Sequence, residues 1–245
     1  MFEPPLALAS LSGEADADWA RAGADHAGAA FLGGIALDAA SRAAAREMVA
    51  DRDRTEFLPE DPLAFVDHEL AALEDVPIRP GFNVRSATPD PVVDAARVCR
   101  DRGAVLEINA HCRQKELCAV GCGETLLRDA DRLAEYVARA TETGAPVGVK
   151  VRAEVPGVDL PALATELEDA GASFVHVDAM DTESVIAAVV AATDLCVIAN
   201  NGVRDDETVR EYAAYGADAV SVGRPSDDPA VLERVRGAVD RRFDD

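Results

Sequence analysis

The residues able to do chemistry crowd into a few short stretches. The first is His111-Cys112-Arg113, with Lys115 close behind. Positive neighbours lower a thiol pKa and a loop position keeps it accessible, so Cys112 is a candidate reactive thiol. Cys118 and Cys122 follow, which puts three thiols in one loop beside His111. That grouping supports a reading in which Cys112, Cys118 and Cys122, with His111 as a fourth ligand, bind a metal or an iron–sulfur cluster, the alternative to cofactor-dependent redox chemistry. The spacing is not a standard ferredoxin or zinc-ribbon pattern. Lys150 stands out by rarity, because only Lys115 and Lys150 are lysine among 24 basic residues. A compact ammonium on a flexible stem does work that guanidinium does poorly. Near the C-terminus, Asn201-Gly202 and Gly223-Arg224 join a permissive backbone to side-chain donors, as phosphate sites require. Cys99 and Cys196 lie in apolar-periodic segments and read as small core residues. His26 and His68 are isolated and carry no assigned role.

These groups need elements to hold them. Apolar, β-branched runs recur at 6–10, 30–37, 78–84, 104–110, 147–153, 174–179, 196–202 and 219–225. They are nearly continuous in apolar character, as buried parallel strands are. Between them lie Ala-, Glu- and Arg-rich segments of helical period, such as Asp90 to Arg102 and Asp129 to Thr143. An extra helix is expected near Leu63 to Leu73. Acids at Asp181-Thr-Glu-Ser and Asp205-Asp-Glu-Thr mark helix starts. Eight strand–helix units over residues 1–245 fit a single α/β domain, a (β/α)8 TIM barrel, with no second domain. In such a barrel chemistry sits at the C-terminal strand ends. Ser10, Asn83, Arg85, Asn109, His111, Lys150, Arg152, His176, Asp178, Asn200, Asn201, Gly223 and Arg224 all fall there, on seven of the eight predicted strands.

Bulk composition narrows the setting. The chain has 245 residues, 49% of them hydrophobic, so a sizeable core is available. No apolar run approaches the roughly 20 residues of a membrane helix, and MFEPPLALAS lacks the basic start of a signal peptide. A cytoplasmic location without membrane association is expected. Net charge is −22. An acid excess almost free of lysine fits a salt-rich, halophilic cytoplasm and opposes broad phosphate-backbone binding.

The stretch Leu106 to Leu127 resembles the signature of the tRNA-dihydrouridine synthase family, E-x-N-x-G-C-P, then a lysine, then G-x-G-x-x-L-L. Asn109, Cys112, Lys115, Gly121, Gly123, Leu126 and Leu127 align with it. Val149-Lys150-Val151-Arg152, His176, Ile198 to Gly202 and Val222-Gly223-Arg224 resemble the motifs of the fifth to eighth strands. The wider resemblance is to FMN-binding barrels, dihydroorotate dehydrogenases included. It implies an FMN-dependent oxidoreductase that transfers hydride between flavin and a pyrimidine-like ring. Cys112 is then the general acid, or the base in an oxidation, and Lys150 faces the reduced flavin. Asn109, Lys115 and Arg152 would bind substrate. Asn83, Lys150, His176, Asn201, Gly202, Gly223 and Arg224 would bind FMN. The departures are Leu8 in A-P-M, His111 and Arg113 around the cysteine, Asn83 for the usual Gln, and Val177-Asp178 in place of H-G-R-T's later residues. The family's C-terminal helical domain, which grips tRNA, is not expected here. Together these imply a divergent, archaeal branch acting on a small molecule or pyrimidine nucleotide, with tRNA disfavoured for the isolated chain and an oligomer allowed.

Overall fold

The computed structural model describes residues 1–51 and 55–243. The apolar runs form β1 (Leu6–Leu8), β2 (Ala29–Ala36), β3 (Arg79–Arg85), β4 (Val105–Asn109), β5 (Val147–Arg152), β6 (Phe174–Asp178), β7 (Cys196–Asn200) and β8 (Ala219–Val222). Each pairs in parallel with the next, and β8 returns to β1, which closes the barrel. The expected (β/α)8 architecture is therefore present, with strand ends displaced by a few residues at most. The helices are α1 (Ala17–Gly23), α2 (Ala39–Asp51), α3 (Pro62–Ala71), α4 (Pro89–Asp101), α5 (Lys115–Ala119), α6 (Glu124–Leu127), α7 (Ala130–Thr141), α8 (Leu160–Asp169), α9 (Val185–Val190), α10 (Asp206–Ala214) and α11 (Pro229–Arg242). Among the described residues no helix is long and apolar enough to cross a membrane.

Local chemistry sets the helix boundaries. Helix α3 is the expected extra helix; Asp61 caps it by accepting the Leu63 and Ala64 N–H groups at 3.0 and 3.1 Å. Asp205 and Thr208 form a reciprocal capping box on α10. The start expected at Asp181 is displaced. Asp181 adopts a left-handed φ of 59°, and α9 begins only at Val185, so its acid turns the chain rather than capping the helix.

Two cores result. The larger lies between strands and helices and includes Leu106, Ile108, Tyr136, Val149 and Tyr212. The smaller fills the barrel floor with Ala7, Ala29, Phe31, Val105, Phe174, Ile198 and Ala219. Side chains alternate along a strand, so residues two positions beyond that floor also point inward. Those positions are Asn83, Glu107, Lys150, His176 and Ser221, all buried. The His176 ring rests against Phe31 at 5.4 Å between centroids. The barrel thus changes from an apolar floor to a polar upper layer before it opens.

Candidate active site

Above the polar layer lies a cavity of about 630 Å³, lined in part by Arg85, Asn109, Cys112, Gln114, Arg152 and Arg224. Its size is that of a small-molecule or cofactor site. It sits at the C-terminal strand ends, where the alternation along β3, β4 and β5 delivers side chains into the mouth.

The layer beneath it is one connected hydrogen-bond system. Glu107 meets His176 Nδ1 through one oxygen at 2.6 Å and accepts the Asn83 amide through the other at 2.5 Å. His176 Nε2 lies 2.7 Å from Ser221 Oγ, which also accepts the Asn200 amide at 2.7 Å. Asn83 accepts from Asn109 at 2.9 Å. Asn109 Oδ1 in turn accepts the Cys112 backbone N–H at 3.2 Å and lies 3.2 Å from His111 Nδ1. Burial pushes the Glu107 carboxyl up, but the His176 ring, its hydrogen bond, the Lys150 ammonium and the Asn83 amide outweigh this and hold it below the ordinary carboxylate value. Burial and Lys150 push His176 below the ordinary imidazole value against the pull of Glu107. Burial also lowers Lys150, with Glu107 and Asp178 opposing.

Lys150 and Arg152 are buried to 2% and 6% exposure; among the described residues neither side chain makes a hydrogen bond or close ion pair, and Glu107 and Asp178 act on the Lys150 ammonium through space. Asp178 is the register partner of Arg152, yet its carboxylate instead accepts from Asn201 at 2.8 Å. Arg85 differs from both. It pairs with Glu56 at 2.7 Å, both side chains buried, and also donates to Ser12 Oγ, tying two loops over the mouth. Gly34 makes room for this arrangement, since a Cβ there would strike Asn83 Oδ1. Two buried polar atoms facing this region have no partner, Arg85 Nε and Gln114 Oε1.

The thiol differs from its sequence reading. Cys112 is 5% exposed and packs with Ala44, Met48, Leu117 and Cys122. Burial pushes its pKa up to about 11, with Arg85 pulling the other way. The expected lowering by flanking cations is overturned. Arg113 and Lys115 are exposed, and the cation that acts on the thiol comes from β3. Gly123 allows this packing. It has a φ of 57°, and a Cβ there would collide with the Cys112 carbonyl and Sγ.

The other expected residues divide by depth. Asn109, Cys112, Arg152 and Arg224 are brought together at the cavity wall. Lys150, Asn83 and His176 lie within the barrel and do not line that wall. Asn201, Gly202 and Gly223 sit at the ends of β7 and β8 beside it. A Cβ at Gly202 or Gly223 would meet nothing within 4 Å, which leaves open space for a ligand group. Lys115 does not join the site; its side chain is 73% exposed and lies 3.6 Å from Glu116. Glu107, Ser221 and Glu56 carry the site and went unassigned from sequence, although Glu107 stands in the E-x-N motif. Among the described residues no three His, Cys, Asp or Glu side chains converge as metal ligands, so the three-thiol metal reading lacks a geometric basis.

Fold and site together define a (β/α)8-barrel protein with its polar machinery at the C-terminal mouth. The chain belongs to the dihydrouridine synthase family, which it matches over residues 67–244. An uncharacterized protein of Methanocaldococcus jannaschii is 26% identical over 234 residues, covering 91% of this chain and 89% of that protein. Similar solved structures share the fold. A FabK mutant from Thermotoga maritima superposes with a TM-score of 0.62 at 18% identity, over 92% of this chain. This chain spans only 63% of that one's length. A chain of the tryptophan synthase complex from Pyrococcus furiosus gives 0.60 at 15% identity, with 99% of each covered.

Proposed function

We propose that the chain is an FMN-dependent oxidoreductase of the dihydrouridine synthase type, acting on a pyrimidine-like ring. The observation that carries this reading is the pair of low-exposure cations, Lys150 in the polar layer under the cavity and Arg152 on its wall, in a family barrel whose net charge is −22. An anionic ligand edge would complement these two cations where water has little access. The unpartnered Arg85 Nε and Gln114 Oε1, the open space at Gly202 and Gly223 and the cavity's size fit the same group.

FMN, when bound, supplies hydride exchange. Arg224, with Asn201 and the backbone at Gly202 and Gly223, would hold its phosphate. Lys150 would offer positive charge to the ring's anionic edge from the polar layer that it shares with Asn83 and His176. Arg152 and the remaining amide hydrogen of Asn109 are donors for substrate carbonyls. Cys112 is fully protonated near neutral pH, as a proton donor must be. Its Sγ–H proton passes to a ring carbon of the substrate, and the Arg85 cation steadies the thiolate left behind until solvent returns a proton.

The test is the colour of the purified protein. Retained flavin, absorbing near roughly 450 nm as flavins do, supports the proposal. Colourless protein that takes up no FMN but contains stoichiometric zinc or iron opposes it.

A further inference from the structure

The buried carboxylate of Glu107 has no place among the groups that touch substrate or FMN, yet two hydrogen-bond arms converge on it. One runs to His176 at 2.6 Å and on to Ser221 and Asn200, each step 2.7 Å. The other runs to Asn83 at 2.5 Å, then to Asn109 at 2.9 Å and to the Cys112 backbone at 3.2 Å. Every donor along the second arm is an amide, so its direction is set, and both end on Glu107. The first arm has one free choice, the tautomer of His176. A carboxylate can only accept, so the ring nitrogen facing it must carry the proton. Nε2 is then a lone pair, and it takes the Ser221 hydroxyl proton. Ser221 Oγ still has lone pairs for the Asn200 amide. Every proton in the system then has one acceptor, and the opposite tautomer would set a lone pair against the carboxylate.

We propose that Glu107 is a positioning residue that fixes the Nδ1–H tautomer of His176 through one oxygen and the orientation of the Cys112 loop through the other. One buried anion thereby holds two groups from either side of β5, one on β6 and one in the segment after β4. The consequence for turnover rests on the flavin reading above, but the arrangement itself does not need flavin. Its sequence basis is the alternation that sends Glu107 and Asn109 inward from the same strand.

The test uses the 245-residue chain without added flavin. Long-range ¹H–¹⁵N correlation of its four histidines, with His176 assigned by substitution, reads the tautomer. The parent protein is expected to show His176 protonated at Nδ1 and unprotonated at Nε2. Glu107→Gln, which replaces an obligate acceptor by a group that also donates, is expected to shift His176 towards the Nε2–H form. It should also increase alkylation of Cys112 by iodoacetamide several-fold, with Cys99 in the core as the unreactive reference. Ser221→Ala should leave the Nδ1–H form in place, since the carboxylate remains. A parent His176 found in the Nε2–H form overturns the proposal without any variant. So does a Glu107→Gln protein in which tautomer and Cys112 reactivity are both unchanged. A colourless protein that shows the expected tautomer would leave this inference standing while removing the flavin reading.

Discussion

At the scale of single residues, Cys112 bears the sharpest expectation. Cys112→Ala should keep FMN affinity within a factor of two or so, because the thiol is a proton donor and not a cofactor contact, and should lower turnover by about 10²–10⁴. Comparable turnover in the variant would remove the thiol from the chemistry. His176 gives a pH expectation. Its folded pKa is depressed, so the unfolded chain binds the proton first, and stability declines as pH falls through the unfolded value of about 6.5. Glu107 is depressed too; its contribution is complete above about 4.3 and is lost as pH falls through the lower folded value. Burial and the Lys150 and Arg85 cations hold His111 well below the ordinary imidazole value too, so thermal melts at high salt, which screens the surface carboxylates, should show stability falling between about pH 7 and 5.5, and His176→Gln should reduce that slope while leaving the His111 part. An unchanged slope would place the titration elsewhere. Much of this residue set was legible in the sequence. Asn109, Cys112, Lys150, Arg152 and Arg224 stand at strand ends in recognisable motifs. The charge state of Cys112 was not legible, because the deciding cation, Arg85, lies on another strand and burial is invisible in a local window.

At the scale of elements, periodicity revealed all eight strands and the extra helix α3, because nearly continuous apolar runs and Asp caps are local signals. The network around Glu107 is non-local. Its partners stand 24 and 69 residues away, and His176 to Ser221 spans another 45. Only closure of the barrel brings them together. The same holds for the Arg85–Glu56 pair, 29 residues apart, which ties β3 to the segment before α3. Removing one partner strands a buried charge, so Arg85→Met should cost about 3–5 kcal/mol. Arg85→Met combined with Glu56→Leu should recover most of that loss, since two apolar groups replace two charges. Denaturant melts of the two proteins decide it; a double variant as unstable as the single one would show that the cation is needed for something other than its partner.

At the scale of the whole molecule, charge dominates. A net charge of −22 repels nucleic-acid phosphates at ordinary ionic strength, and molar salt removes the counterion-release gain that usually drives binding. A structured RNA base must also be extracted, at a few kcal/mol. The purified chain is therefore expected not to bind full-length tRNA tightly across a salt series in filter-binding experiments, and saturable tight binding would return tRNA as its substrate. The acidic surface also explains why the few buried cations matter, since they are the positive charges shielded from it. The central claim, that Arg224 and the ends of β7 and β8 hold FMN beside the buried cations, is tested most directly by equilibrium FMN titration of the folded parent and Arg224→Ala, followed by flavin fluorescence. The expected result is saturable one-to-one binding that the substitution weakens by about 1.5–3 kcal/mol, roughly one to two powers of ten. No saturable binding by the parent, or equal affinity in the two proteins, would contradict it.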